Sequence, residues 1–274
     1  MSESDGDRGE WESTLAMTVS ERCTVLRSCV VLGETASTQD EARHRLLSRG
    51  ECGAIVAWRQ TAGRGRQGRA WADTAQDGVA VTFVMPDRRS EVLVMLAAVA
   101  ACRSIERAIA DTPGNDEPLA IGIKWPNDLV CRGRKLGGIL IERPASGHRL
   151  TLVGIGINVS QRSFPEHLAD VATSVSLSGG HATRLAILTR LVCAIDRFAA
   201  TGDDELLPTL LADYLQRDAL RGAEATFATA TGEVAGRVMQ AHPLEGITVM
   251  TVDGQRILPR ATTSVVSWRP TGIG

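Results

Sequence analysis

Lys124 and Lys135 are the only lysines in this 274-residue chain, and both lie in KWPNDLVCRGRKLGGIL, residues 124–140. The other 28 of its 30 basic residues are arginines. A general preference for arginine accounts for the ratio but not for the placement. Arginine carries a wide planar fork whose charge is permanent, whereas lysine is a compact point charge on a thin stem. A narrow site that must neutralise negative charge would therefore keep lysine. Gly137 and Gly138 stand just behind Lys135, and glycines inside a strand often mark close approach by a ligand or another backbone. Behind Lys124, Pro126 fixes the backbone, and Asn127 and Asp128 suit a turn as readily as a ligand contact.

A second cluster is RQTAGRGRQGRAW, residues 59–71. Gly63, Gly65 and Gly68 let the backbone come close to a ligand and offer N–H donors. Arg64, Arg66 and Arg69 supply charge for a carboxylate or a phosphate. The stretch lacks the GK[ST] ending and the following helix of a Walker A loop. A solvated arginine-rich turn is its plain alternative. GIGINV, residues 154–159, alternates small and apolar residues up to Asn158, as a glycine-rich core strand also would. The six cysteines and five histidines are scattered, with no CxxC, HxxxH or HExxH spacing to suggest a metal site. The cysteines read as reduced, mostly buried residues of a cytosolic protein.

Helix and strand signals alternate around these groups. STQDEARHRLLSRG (37–50) reads as a helix with a capping box in Thr38 and Glu41 and a closing Gly50. GAIVAW (53–58) and GVAVTFVM (78–85) read as strands, and EVLVMLAAVAACRSIERAIA (91–110) as a long helix, apolar in its first half. IGIKW (121–125), LGGILIE (136–142) and LTLVGIGINV (150–159) are further strands, and residues 182–200 and 203–217 two more helices. After about 218, short alternating strands with turns at TG, PLEG and VDG predict a small SH3-like β barrel. The expected organisation is a disordered acidic tail at 1–20, a main domain at 21–217 and the β domain at 218–274.

Taken in this order and spacing, GRGRQGRAW, KWPND, RKLGGIL and GIGIN resemble the biotin protein ligase family, from about Ser37 to the final SWRP. The resemblance implies an α+β fold of the class II aminoacyl-tRNA-synthetase-like type, a mixed sheet flanked by helices, followed by the SH3-like barrel. It implies an enzyme that joins biotin to ATP, giving biotinyl-5′-adenylate and pyrophosphate. The biotinoyl group then passes to one lysine of a biotin carboxyl carrier protein, that of acetyl-CoA carboxylase or a related carboxylase. Mg²⁺ would accompany ATP without a fixed protein site, Asp128 being its candidate ligand. By the same resemblance Lys135, Arg64 and Lys124 would be catalytic. Ser37, Thr38, Gln39 (where the family has Asn), Gln60, Gly63, Arg64, Gly65, Arg66, Lys135, Gly137 and Gly138 would surround biotin. Arg66, Arg69, Trp71, Lys124, Asn127, Asp128, Lys135 and Asn158 would hold ATP or the adenylate. The rival readings are a lipoate or octanoate ligase and, in another class, a nucleic-acid-binding module using the Arg/Gly loop 59–69.

A formal net charge of −2 argues against a general polyanion binder. No helix-turn-helix pattern precedes Ser37, so no DNA binding is expected. The opening MSESDGDRGEWEST is acidic and polar, unlike a signal or transit peptide. The longest apolar run, VLVMLAAVAAC at 92–102, is too short to span a bilayer. The expectation is a cytoplasmic monomer or homodimer without membrane partners.

Overall fold

The computed structural model describes residues 7–66, 70–71, 77–115, 117–144 and 149–270. Strands β1 (Cys29–Thr35) and β2 (Gly53–Gln60) run parallel, and β3 (Gly63–Arg64) and β4 (Ala70–Trp71) form a separate short hairpin. Strands β5 (Gly78–Pro86), β6 (Gly122–Lys124), β7 (Asp128–Cys131), β8 (Arg134–Glu142) and β9 (Leu150–Asn158) join β1 and β2 in a seven-stranded sheet. Its order is β1-β2-β5-β9-β8-β7-β6, and every pairing except β1 with β2 is antiparallel. This is the mixed sheet flanked by helices that the sequence leads one to expect. The turn from β7 to β8 has two residues, Arg132 and Gly133, with φ of 49° and 76°. Such positive φ values match the twist of a tight hairpin, and the turn sets Lys135 at the start of β8.

The helices divide between the two faces of the sheet. Helix α1 spans Arg8–Arg22, α2 Thr38–Arg45, α3 Ser90–Ala110, α4 Glu166–Ala169, α5 Arg184–Ala200 and α6 Asp203–Gln216. The first half of α3 is buried from Val92 to Cys102 because the sheet lies on one side of it and α5 and α6 on the others. A helix enclosed in this way can be apolar all round. On the opposite face α2 packs Ala42 and Leu46 against Ile55, Val84 and Leu152. The capping box expected at Thr38 and Glu41 does not form. Ser37 occupies the N-cap without a side-chain bond, and Thr38 turns inward. The helix closes as read, through a short 3-10 turn to Gly50 at φ 69°.

The expected disordered tail is corrected over residues 8–22, which form α1. Asp7 caps it by accepting from the Glu10 N–H at 2.9 Å, and Trp11, Leu15, Thr18 and Val19 are buried. Spacing of 11, 15, 18 and 19 makes one apolar stripe, hidden in composition by the acidic and polar residues around it. Trp11 lies 4.7 Å from Trp58, and the buried Arg184 guanidinium sits 4.7 and 4.6 Å from the two rings. Buried Asp196 of α5 accepts from the backbone N–H groups of Thr24, Val25 and Leu26, each at 2.8 Å. It fastens the segment between α1 and β1. All six cysteines are free, and burial pushes the thiols of Cys23, Cys29 and Cys102 up to about 12.

The C-terminal part is an antiparallel five-stranded sheet of β10 (Glu224–Thr229), β11 (Gly232–His242), β12 (Gly246–Thr251), β13 (Gly254–Pro259) and β14 (Ser264–Arg269). Its order, β13-β12-β11-β10-β14, leaves both ends unpaired, so the sheet is open where a closed barrel is expected. Its core is not self-contained either. Trp125, next to β6, is 1% exposed and packs among Leu220, Phe227, Val238 and Val249. No described helix is long and apolar enough to cross a membrane.

Candidate active site

On the α2 face the sheet carries a cavity of about 500 Å³. Its floor follows from register. Ala80 pairs with Gly156 and Thr82 with Gly154, while Gly138 and Leu140 pair with Gly156 and Gly154 from the other side. Alternate residues of a strand share a face, so this face is nearly bare of side chains along β9. A Cβ on Gly154 would lie 2.6 Å from Gln39 Nε2, and one on Gly156 2.7 Å from Trp71 Cε2. The GIG strand is therefore a shelf on which Gln39 and Trp71 rest.

At one end, Thr38 donates to Gln60 Oε1 from its backbone N–H at 2.8 Å and from Oγ1 at 3.1 Å. Thr82 Oγ1 donates in turn to Thr38 Oγ1 at 2.9 Å. Gln39 donates from Nε2 to the Leu140 carbonyl at 3.1 Å. Ser37 Oγ and Gln39 Oε1 are buried without a hydrogen-bond partner among the described residues. A buried unpaired polar atom is costly, so this end suits a ligand with a polar ring more than a purely apolar one.

At the other end, Lys135 Nζ is 2.7 Å from Asp128 Oδ1 and 5.7 Å from the centroid of the Trp71 ring. A Cβ on Gly138 would stand 3.5 Å from Lys135 Nζ and Asp128 Oδ1, in ordinary contact with both, so this glycine lies directly beside the ion pair. Arg66 donates to Asn127 Oδ1 at 2.9 Å, and Asn127 donates from Nδ2 to the Ile139 carbonyl at 2.8 Å. Lys124 Nζ lies 5.6 Å from the centroid of Trp268. Asn158, buried beside the cavity, ties β9 to the following loop through the Thr173 carbonyl at 2.9 Å. The arrangement offers cationic and N–H groups to an anion, and among the described residues no hydrogen bond joins a nucleophile to a histidine base.

Most of the residues singled out from sequence line this one cavity: Ser37, Thr38, Gln39, Gln60, Arg64, Gly65, Arg66, Trp71, Lys124, Asn127, Asp128, Lys135, Gly138 and Asn158. Three of the expected residues also have structural partners. Arg64 pairs its fork with Asp40 at 2.8 Å and Glu142 at 3.3 Å. Gly63 is required by packing, since a Cβ there would press on Gln60 and Trp71. Gly137 is likewise a packing glycine, with the Gly156 carbonyl 2.7 Å from where its Cβ would be. Arg69 and Gly68 lie outside the described residues. Sequence reasoning misses the contribution of Thr263, Ser264 and Val265 from the C-terminal part, and that of Phe164 and His167. No local spacing could reveal them, because they reach the cavity only through tertiary packing. Among the described residues no group of three His, Cys, Asp or Glu side chains could hold a metal ion.

Comparison with known proteins bears on this geometry. Residues 32–160 match the model of the biotin/lipoate A/B protein ligase family. The chain is 34% identical over 210 residues to a biotin–[acetyl-CoA-carboxylase] ligase of Mycobacterium tuberculosis, covering 72% of this chain and 73% of that protein. It is 30% identical over 239 residues to the corresponding ligase of Paracoccus denitrificans, covering 84% and 98%. A bifunctional ligase/repressor BirA of Bacillus spizizenii is 35% identical over 166 residues, covering 57% of this chain and 49% of that protein. The chain thus spans about half the length of such bifunctional relatives. The fold matches that of a biotin protein ligase from Aquifex aeolicus in complex with biotin and ATP, at a TM-score of 0.74 and 24% identity, covering 90% of this chain and all of that one.

Proposed function

The chain belongs to the biotin/lipoate A/B protein ligase family, and from this we propose that it is an ATP-dependent biotin protein ligase. The biotin carboxylate would attack the α-phosphorus of ATP, forming an acyl–phosphate bond and releasing pyrophosphate. A carrier lysine would then attack the acyl carbon, forming an amide and releasing AMP. Bringing two anions together needs positive charge placed in advance. Lys135, at the end of the cavity opposite Thr38 and Gln60, is suited to that task, with Lys124 and Arg66 toward the nucleotide. Thr38, Gln39 and Gln60 would hold the biotin ring, and the backbone at Gly65 would approach it. Mg²⁺ would come with the triphosphate. Asp128 is the one carboxylate among the described residues lining the cavity, and its pairing with Lys135 argues against a resident ion. We read the C-terminal sheet as a module of SH3-like type that closes the nucleotide end. The relatives' names point to a biotin carboxyl carrier protein as acceptor.

The observation that carries biotin over a lipoyl substrate is the unpartnered pair Ser37 Oγ and Gln39 Oε1. A ureido ring can donate to and accept from such groups, whereas an aliphatic dithiolane cannot. The test is exchange of labelled pyrophosphate into ATP. Biotin should support it. Exchange that depends on lipoate would reassign the substrate, and none with any acid would refute the ligase reading.

The shelf under Trp71 yields a narrower prediction. Gly156→Ala should lift the indole from β9 and raise the KM for ATP about ten-fold, the scale of one lost base-stacking surface. Biotin affinity, measured by calorimetry, should stay within a factor of two or so. An unchanged KM for ATP would remove Trp71 from the nucleotide side.

A further inference from the structure

The C-terminal sheet does more than cover the cavity. Lys124 Nζ sits over the face of Trp268 in β14, 5.6 Å from the ring centroid. The neighbouring residue, Trp125, is buried in the core of the C-terminal sheet, against which Trp268 also packs. Strand β6, which carries Lys124, is bonded to the entry of that part of the chain. The Ile123 N–H donates to the Arg217 carbonyl at 2.7 Å, and the Ala219 N–H to the Ile123 carbonyl at 3.1 Å. The turn that precedes Lys135 is held from the same side, since a Cβ on Gly133 would meet Pro270 Cγ at 2.6 Å. Thr263, four residues after β13 closes, brings its buried hydroxyl, unpartnered among the described residues, to the cavity wall.

A lysine stem has many rotamers, and ordering it costs entropy. An aromatic face restrains an ammonium group by electrostatic attraction to the ring without accepting its hydrogen bonds. We propose that Trp268 is a positioning residue for Lys124: its indole holds the ammonium group toward the nucleotide end of the cavity. The C-terminal sheet is then part of the nucleotide site and not only a neighbour of it. This rests on the ligase reading, and it concerns ATP and not biotin.

The experiment compares Trp268→Phe and Trp268→Leu with the parent chain in biotin-dependent pyrophosphate exchange, with and without Lys124→Met. Exchange by the parent establishes the ligase reading separately. Trp268→Leu should raise the KM for ATP about ten-fold, within the range of a partly desolvated cation–π contact, and Trp268→Phe, which keeps a ring face, about three-fold or less. Biotin affinity should be unchanged in both. In the Lys124→Met background Trp268→Leu should add nothing. Equal loss in the Phe and Leu variants, an unchanged KM in Trp268→Leu, or losses that add in the double variant would overturn the proposal. If Trp268→Leu fails to fold, Trp268→Phe against Trp268→Tyr supplies the test, because both should retain nucleotide affinity and a further loss on Lys124→Met should be the same in each.

Discussion

Lys135→Arg is expected to lower biotin-dependent pyrophosphate exchange by roughly 10²–10³-fold, the scale of losing one preorganised electrostatic group, while the protein stays folded. The positive charge survives this substitution, so the loss would come from shape. Lys135 Nζ reaches Asp128 at 2.7 Å, with Gly138 directly beside the pair. A planar fork is wider than an ammonium group and pairs with carboxylates through two parallel bonds. It would settle on Asp128 and draw the charge away from the centre of the cavity. Folding should not suffer, because the ion pair is partly exposed and such pairs contribute little. The comparison needs exchange rates, biotin affinity and thermal melting on one preparation. Near-normal exchange would show that lysine is not required there and that its rarity reflects only a preference for arginine.

The second large effect lies outside the cavity. Asp196→Ala should destabilise the fold by about 3–5 kcal/mol, since three backbone N–H groups lose a charged acceptor at once. For a chain of this size that is a fall of about 10 °C in Tm. The carboxylate is 3% exposed and gathers the N–H groups of Thr24, Val25 and Leu26. An alanine would leave those groups in a protein interior without a partner. Asp196→Asn should fall between, because its single amide oxygen can serve only part of the set. Scanning calorimetry reads the difference directly, and a Tm within 2 °C or so of the parent would show that solvent or relaxation replaces the carboxylate.

These two residues mark what sequence could and could not disclose. Lys135 was legible as a cavity residue because its signal is local: a rare residue type, two glycines behind it and a proline-containing turn earlier in the same stretch. The strands around it were legible for the same reason, as short β-branched runs bounded by glycine. Asp196 gives no such signal, since its partners lie 170 to 172 positions away. Helix α1 escaped because four inward-facing residues are outnumbered by polar ones, so average composition resembles a tail. Arg64 was legible as a cation but not in its direction, which depends on Asp40 in α2 and Glu142 in β8. The C-terminal strands were clear from their turns. That they lend Thr263 to the cavity, and take Trp125 into their core, is a matter of packing alone.

The confinement of both lysines to one cavity also makes this protein a reporter of its own occupancy. Reagents selective for primary amines, which on most proteins decorate the whole exterior, have here only the amino terminus and two side chains that line the same cavity. On the proposed reading, a ligand that fills the cavity would shield both, and one confined to the ring-binding end would shield neither. Covalent footprinting could therefore follow loading without a mutation, a fluorophore or a labelled substrate.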